Sequence, residues 1–477
     1  MSLANRTLAA VACVTGLVLG ALVALGGTEI GGAAVAGLAF GALLLMNLEL
    51  GLAAWVALSL YEAVPAVEAA VKGATVLVFL VWLGAVVNRE ALLTGLLRRH
   101  GRLVAAVLLL LVWLTMSITW SERPDTGVVL WQWYVAAAIF FMVATLVTEE
   151  RHVRWVLVAL VAGIVATAVI GFGGTPLGSG LPFLEAAVGN QDRLQGGVDD
   201  PNFFAVLLVV GLALAGALVL VVRRASARVG LPAIIVLLAL GVVATQSRGG
   251  VVALAAGAAS ALVVFRGRRL PLLGFVLFVL AITGLAFSAA PTALERVTTV
   301  EGGGTGRSDI WKVAVAMAAD RPVAGVGIGN FGVHSPRYVD DLGPLERTDL
   351  VAEKLLVVHS AYLELLAETG VVGLGLFVAV VLGGLSAAWR AARRFEALGR
   401  RSMSILASAV VVATVAFLAG ATFVSTGYDE RLWILLALGP AMLAMARRQD
   451  AQVPVPSASV PLEGPAPADR VPVLAGW

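Results

Sequence analysis

The side chains able to do chemistry in this chain are a few arginines, one histidine and several carboxylates, set in a largely apolar sequence. Gly302-Gly303-Gly304-Thr305-Gly306 leads into Arg307-Ser308-Asp309, after which Ile310, Trp311, Val313, Ala314 and Met317 recur at helical spacing on one face. Ser308 is the expected N-cap, and the helix should stop before Asp320-Arg321-Pro322, because proline cannot continue it. A guanidinium beside the unpaired N–H groups of a helix start suits an anion such as a phosphate. Equally, Arg307 could only cap the helix or snorkel, and position alone fits both readings.

Arg248 lies in Thr245-Gln246-Ser247-Arg248-Gly249-Gly250, a short turn between two apolar runs, and an arginine there is costly unless it meets a wet cavity, a partner or a headgroup. His359 precedes Ser360, a possible cap for the run that begins Ala361-Tyr362-Leu363-Glu364. A neutral imidazole at such an edge can take a proton from a hydroxyl, although a lone histidine is more often structural. Glu364 and Glu368 follow at i and i+4 on one face and need polar partners, arginines included. In Asp199-Asp200-Pro201-Asn202, Asp200 is a candidate cap and Pro201 a first helical residue, and capping accounts for them adequately.

Gly327-Ile328-Gly329-Asn330-Phe331-Gly332 satisfies GxGxxG, but no buried strand precedes it and no strand–helix–strand unit surrounds it. Tight turning is the expected use of those glycines. The sequence contains no HExxH, no P-loop and no GxSxG, so zinc proteases, ATP-driven pumps and elbow hydrolases have no sequence support.

The elements that must position these residues are membrane spans. Of the 477 residues, 60% are hydrophobic and 13% charged, with a mean hydropathy of +0.96, which excludes an ordinary soluble domain. The apolar runs are long enough for helices crossing a ~30 Å hydrocarbon core. The ten-residue alternation of a membrane barrel is absent. An all-α bundle is therefore expected, with spans at 8–25, 30–46, 50–61, 73–87, 103–120, 128–147, 155–172, 201–222, 231–246, 250–265, 270–288, 361–388, 405–424 and 431–446. Since 50–61 is short and 30–46 glycine-rich, either could be re-entrant, and the expected number of crossings is 12–14.

Threading the chain through these spans puts 21 of the 33 Lys and Arg on one side. Of the 12 on the other, seven fall within the single 289–360 loop, where charge has little say in orientation. The arginine-rich side is therefore expected in the cytoplasm with both termini, and 289–360 outside. There the helix capped by Ser308, amphipathic with an indole near its start, is expected to lie in the membrane interface. Residues 1–446 make the expected membrane domain, and 447–477, rich in Pro, Ala and Val, a disordered cytoplasmic tail. The basic balance, net +3, is dispersed over membrane flanks and argues against nucleic acid. The lone Cys13 allows no intramolecular disulfide and no thiolate metal site.

Three stretches together resemble the O-antigen ligase and polymerase family: Asp200-Pro201-Asn202 at a span start, Ser247-Arg248-Gly249 in a short external turn, and the series from Gly306-Arg307 through Trp311, Pro322 and 325–331 to His359-Ser360-Ala361-Tyr362-Leu363-Glu364, Glu368-Thr369-Gly370 and Gly373. The resemblance covers roughly 195–390. It implies a GT-C-like glycosyltransferase of the cytoplasmic membrane, working on its outer face. The enzyme would take a glycan from undecaprenyl pyrophosphate to a glycan, lipid or protein acceptor, with no nucleotide sugar, cofactor or metal. Arg248 and Arg307 would then hold the pyrophosphate and His359 would deprotonate or orient the acceptor hydroxyl, with Asp200, Asn202, Glu364 and Glu368 in support. Ser360 and Ala361 depart from the amide residue that family members often carry after the histidine. The rival from another class is a glycan transporter or flippase, but transporters place ionisable groups near the bilayer midplane, and here they gather at one surface.

Overall fold

The computed structural model describes residues 28–61, 65–88, 91–122, 126–173, 200–222, 225–265, 269–289, 307–339 and 357–451, with 193–196, 198, 267 and 294. The expected first span at 8–25, Asp199, most of the two flanks of the long loop and the expected tail beyond 451 lie outside these residues. Among the described residues every regular element is helical: α1 (Thr28–Met46), α2 (Leu48–Leu58), α3 (Pro65–Asn88), α4 (Ala91–Ser117), α5 (Thr126–Leu146), α6 (Glu150–Gly173), α7 (Pro201–Val221), α8 (Ala225–Ala244), α9 (Arg248–Val264), α10 (Arg269–Ala289), α11 (Arg307–Asp320), α12 (Phe331–Val339), α13 (Ala361–Ala397), α14 (Arg401–Gly420) and α15 (Glu430–Asp450), with short 3₁₀ turns after α2 and α4.

Seven of these helices are long and apolar enough to cross a membrane, and five shorter ones are also apolar. The protein is an integral membrane α-helical bundle. Each of the thirteen expected spans after 8–25 coincides with a helix. The α2 helix has eleven residues, a rise of about 16 Å, so the 50–61 segment does not cross by itself. Large apolar side chains stand exposed around the bundle, Leu45 at 80% and Leu270 at 82% among them, as lipid-facing positions do. At the centre, 83% of the apolar window of α14 is buried, against α7, α9 and α13.

Small residues let the central helices touch. At the crossing of α13 and α15, a Cβ on Gly439 would meet the Gly384 carbonyl, and one on Gly384 would meet Leu436. Lipid tails are as apolar as leucine, so such close approach is what drives association inside a bilayer. Helix starts are set by side-chain caps: Asp200 for α7, Ser247 for α9, Ser360 for α13 and Asp429 for α15.

The described parts of the long loop, 307–339 and 357–360, pack on one end of the bundle around a small core of Ile310, Val313, Ala314, Met317, Phe331, Val339, Val358 and Ala367. The amphipathic face of α11 is thus covered by α12 and α13 rather than by lipid, which corrects its expected place in the membrane interface. Helical periodicity reveals that a face is buried, not what buries it. The helix also begins at Arg307, leaving Ser308 exposed in the first turn rather than at the N-cap.

Candidate functional site

The floor of the site is a polar junction between the starts of α7 and α9. The Asn202 backbone N–H and side-chain amide both donate to Asp200 Oδ1, at 2.7 and 3.0 Å. Asn202 Oδ1 accepts from Ser247 Oγ at 3.0 Å and from Arg193 Nη2 at 3.0 Å, while Arg193 Nε donates to the Thr245 carbonyl at 2.8 Å. Asn202 therefore locks two helix starts and a loop together. Gln246 takes a left-handed φ of 50°, an unusual conformation for a residue with a side chain, and Ser247 Oγ accepts from Gly250 N–H at 3.2 Å to start α9. Arg248 is the first residue of that helix.

The opposite wall comes from the long loop. Arg307 opens α11, and one turn on, Trp311 Nε1 donates to the Val358 carbonyl at 3.1 Å while its ring leans on Phe423. Ala361 N–H bonds the carbonyls of Ala421 and Val424. His359, between these two anchors, is held at a φ of 52°. Non-glycine residues in that region concentrate at functional sites.

These segments bring four of the candidate residues into one electrostatic neighbourhood. Burial pushes the His359 imidazole below its usual 6.5, the nearby Arg307 guanidinium pushes it further, and Asp200 opposes both. Burial also lowers Arg307, with Asp200 opposing and Arg248 adding to the shift. Asn202 joins them through Asp200 and Ser247. The result is a half-buried group of cationic side chains with a neutral imidazole beside it, an arrangement chemically suited to an anion next to a group that accepts a proton.

Glu368 has a different job. Its carboxylate accepts from the backbone N–H of Gly329 at 2.8 Å and of Phe331 at 3.0 Å, and its carbonyl from Gly327 at 2.8 Å. Its carboxylate thus engages backbone amides of the glycine turn. There α13 breaks at Gly370 (φ 66°, ψ −170°), while Gly325, Gly327 and Gly329 also have positive φ. A Cβ at Gly370 would collide with the Val323 carbonyl, and one at Gly325 with the Glu368 backbone. The glycines of the GxGxxG run thus serve a tight turn, as expected. Asn330 fastens the turn to the end of α4 through Ser121 Oγ and Glu122 N–H. Glu364 lines a cavity of about 360 Å³ between α5, this turn and α13, shared with Gln132 and Tyr428.

Arg193 is the functional-region residue that sequence reasoning missed. It is buried at 7% exposure, and its only sequence signal is a charged residue in a loop between two expected spans. The buried pair of Asp429 and Arg431, at 3.2 Å, was also missed. Its guanidinium lies 5.7 Å from the Phe203 ring in the first turn of α7, under the junction.

Comparison with known proteins gives one family: residues 233–378 match the O-antigen ligase model. No curated protein matches. The matched stretch contains Arg248, Arg307, His359, Glu364, Glu368 and the glycine turn, while Asp200 and Asn202 lie before it. Residues 233–378 of this helical bundle are thus similar to the O-antigen ligase family.

Proposed function

We propose that this protein transfers a glycan from undecaprenyl pyrophosphate to an acceptor hydroxyl on the external face of the cytoplasmic membrane, as a ligase or polymerase. The match of residues 233–378 to the O-antigen ligase model supports a membrane glycan-transferring activity of ligase or polymerase type. The observation that carries the finer reading is the convergence of Arg248, Arg307, Asp200 and His359 from three separate segments. Arg307 bears a burial penalty that an anionic ligand would relieve. The planar forks of two guanidiniums suit the two phosphates of a pyrophosphate.

In the proposed reaction the acceptor oxygen attacks the anomeric carbon, and the bond from that carbon to the pyrophosphate oxygen breaks. The electron pair leaves with the pyrophosphate, whose growing charge Arg248 and Arg307 stabilise without a metal ion. The hydroxyl proton passes to His359, which burial and Arg307 keep neutral and ready to accept it. One displacement inverts the anomeric centre. Asp200 and Asn202 act by fixing the α7 and α9 starts, and Glu368 by holding the glycine turn.

The test is a reconstituted transfer assay with lipid-linked donor, with donor binding measured in parallel. His359→Ala and His359→Gln are expected to lower transfer by about 10²- to 10⁴-fold and to leave donor binding largely intact. Near-normal transfer by both variants would remove His359 from the mechanism; loss of donor binding would make it a pyrophosphate ligand instead.

A further inference from the structure

At the end of the bundle opposite the candidate site, α4, α13 and α15 enclose a cavity of about 500 Å³. Arg99, Arg102, Arg390 and Arg447 line it, with His100 in its wall. Other arginines at this end are matched with acids: Arg394 with Asp450 at 2.9 Å, Arg400 with Glu150, Arg393 with Glu396 at 3.5 Å and Arg151 with Glu149 at 2.9 Å. The four cavity arginines make no ion pair with any described carboxylate. Arg390 Nε donates to the Ser386 carbonyl at 3.2 Å and Arg447 Nη1 to the Arg99 carbonyl at 3.4 Å, so the protein holds their forks in place without neutralising them.

A second feature is built into the backbone. The α4 helix breaks at His100 (φ −135°, ψ 30°). The histidine is 9% exposed, and its Nε2 has no hydrogen-bond partner among the described residues. A buried polar atom without a partner is costly, and an anion in the cavity would supply one to the imidazolium form. Toward the membrane the lining changes to Leu103, Ala106, Ala379 and Gly383. The cavity is therefore basic at its mouth and apolar above, the shape of a lipid headgroup with the start of its acyl chains. It also lies on the side where Lys and Arg are in excess, and anionic lipids attract basic segments in the cytoplasmic leaflet.

We propose that this cavity binds the phosphodiester headgroup of an anionic diacyl phospholipid. Inorganic phosphate offers the same charge without the chains, so the two sources separate experimentally. The full-length protein is stripped of lipid in neutral detergent. Native mass spectrometry and thermal melts then follow titration with phosphatidylglycerol, phosphatidylcholine or inorganic phosphate. Phosphatidylglycerol alone is expected to bind at low stoichiometry and raise the melting temperature. The double variant Arg99→Gln/Arg390→Gln should weaken that binding by roughly 30-fold, whereas Arg98→Gln/Arg401→Gln, which removes the same charge at the same end, should change it less than threefold. Should the first pair fail to fold, Ala379→Phe narrows the apolar wall with every arginine intact and should still weaken binding. Equal losses in both double variants would reduce the effect to diffuse surface charge, and equal stabilisation by inorganic phosphate would exclude a lipid site. Undiminished binding in Ala379→Phe would likewise overturn the proposal.

Discussion

At the scale of single residues, the chemistry assigned to the two arginines depends on geometry as well as charge. Replacing Arg248 or Arg307 by Ala should lower transfer by about 10²- to 10³-fold. Lys should restore only part of it, because an ammonium keeps the charge but loses the planar fork; full activity in the Lys variants of a reconstituted assay would reduce both residues to point charges. His359 has a pH signature. Its pKa lies below the usual 6.5 and the base must be neutral, so kcat/KM should rise with pH through a midpoint below that value and then level off. Asp200→Asn keeps the cap but removes the one charge that opposes the shift, so that midpoint should move further toward acid. A move toward base would separate Asp200 from His359. Arg248 and Arg307 stood out as candidates in the sequence because charges at a membrane edge are expensive, and His359 because it closes the long loop where a span begins. Arg193 was not, since its partners are 52 and 9 residues away and only folding brings them together. For Glu368 the need for a partner was legible, but its partners, backbone amides 39 and 37 residues distant, were not.

Among the elements, the site depends on two joints, the Asn202 junction and the turn seated on the bend of α13. Glu368→Ala leaves the N–H groups of Gly329 and Phe331 without their acceptor, at a cost of about 1–3 kcal/mol for each buried donor. The melting temperature in detergent and the transfer rate should fall together, with Glu368→Gln retaining more of both. Gly370→Ala should be at least as damaging, because it adds left-handed strain to a steric clash. A wild-type melting curve for Gly370→Ala would show that the bend does not need glycine. The spans themselves followed from hydropathy because the bilayer imposes their length. The bend at Gly370 did not, since it sits inside an expected span, and neither did the helix on the near side of the His100 bend, since 88–102 lies between two expected spans.

For the whole molecule, the orientation we propose rests on the arginine distribution, and the fold groups the relevant elements by end. The candidate site and the starts of α7, α9, α13 and α15 share one end, and the paired arginines from Glu150 to Asp450 share the other. With Cys13 replaced by Ser, a cysteine at exposed Ala319 should react with an impermeant maleimide in intact cells, and one at exposed Ala397 only after permeabilisation. The reverse pattern would invert the assigned topology and move the proposed chemistry to the cytoplasm.

The seating of the glycine turn has a consequence for anyone recombining this protein with its relatives. Val371 N–H reaches the Pro322 carbonyl at 2.8 Å, a side chain on Gly325 or on Gly370 would collide with the backbone facing it, and the Glu368 carboxylate closes the ring. The span from 322 to 371 is therefore one heritable cassette, although a loop of chain divides it. A chimera spliced between Gly332 and Ser360 would mate a turn from one parent with a bend from another and lose the register of both. One spliced before Pro322 and after Gly373 would carry the whole latch across intact, with whatever acceptor preference travels with it.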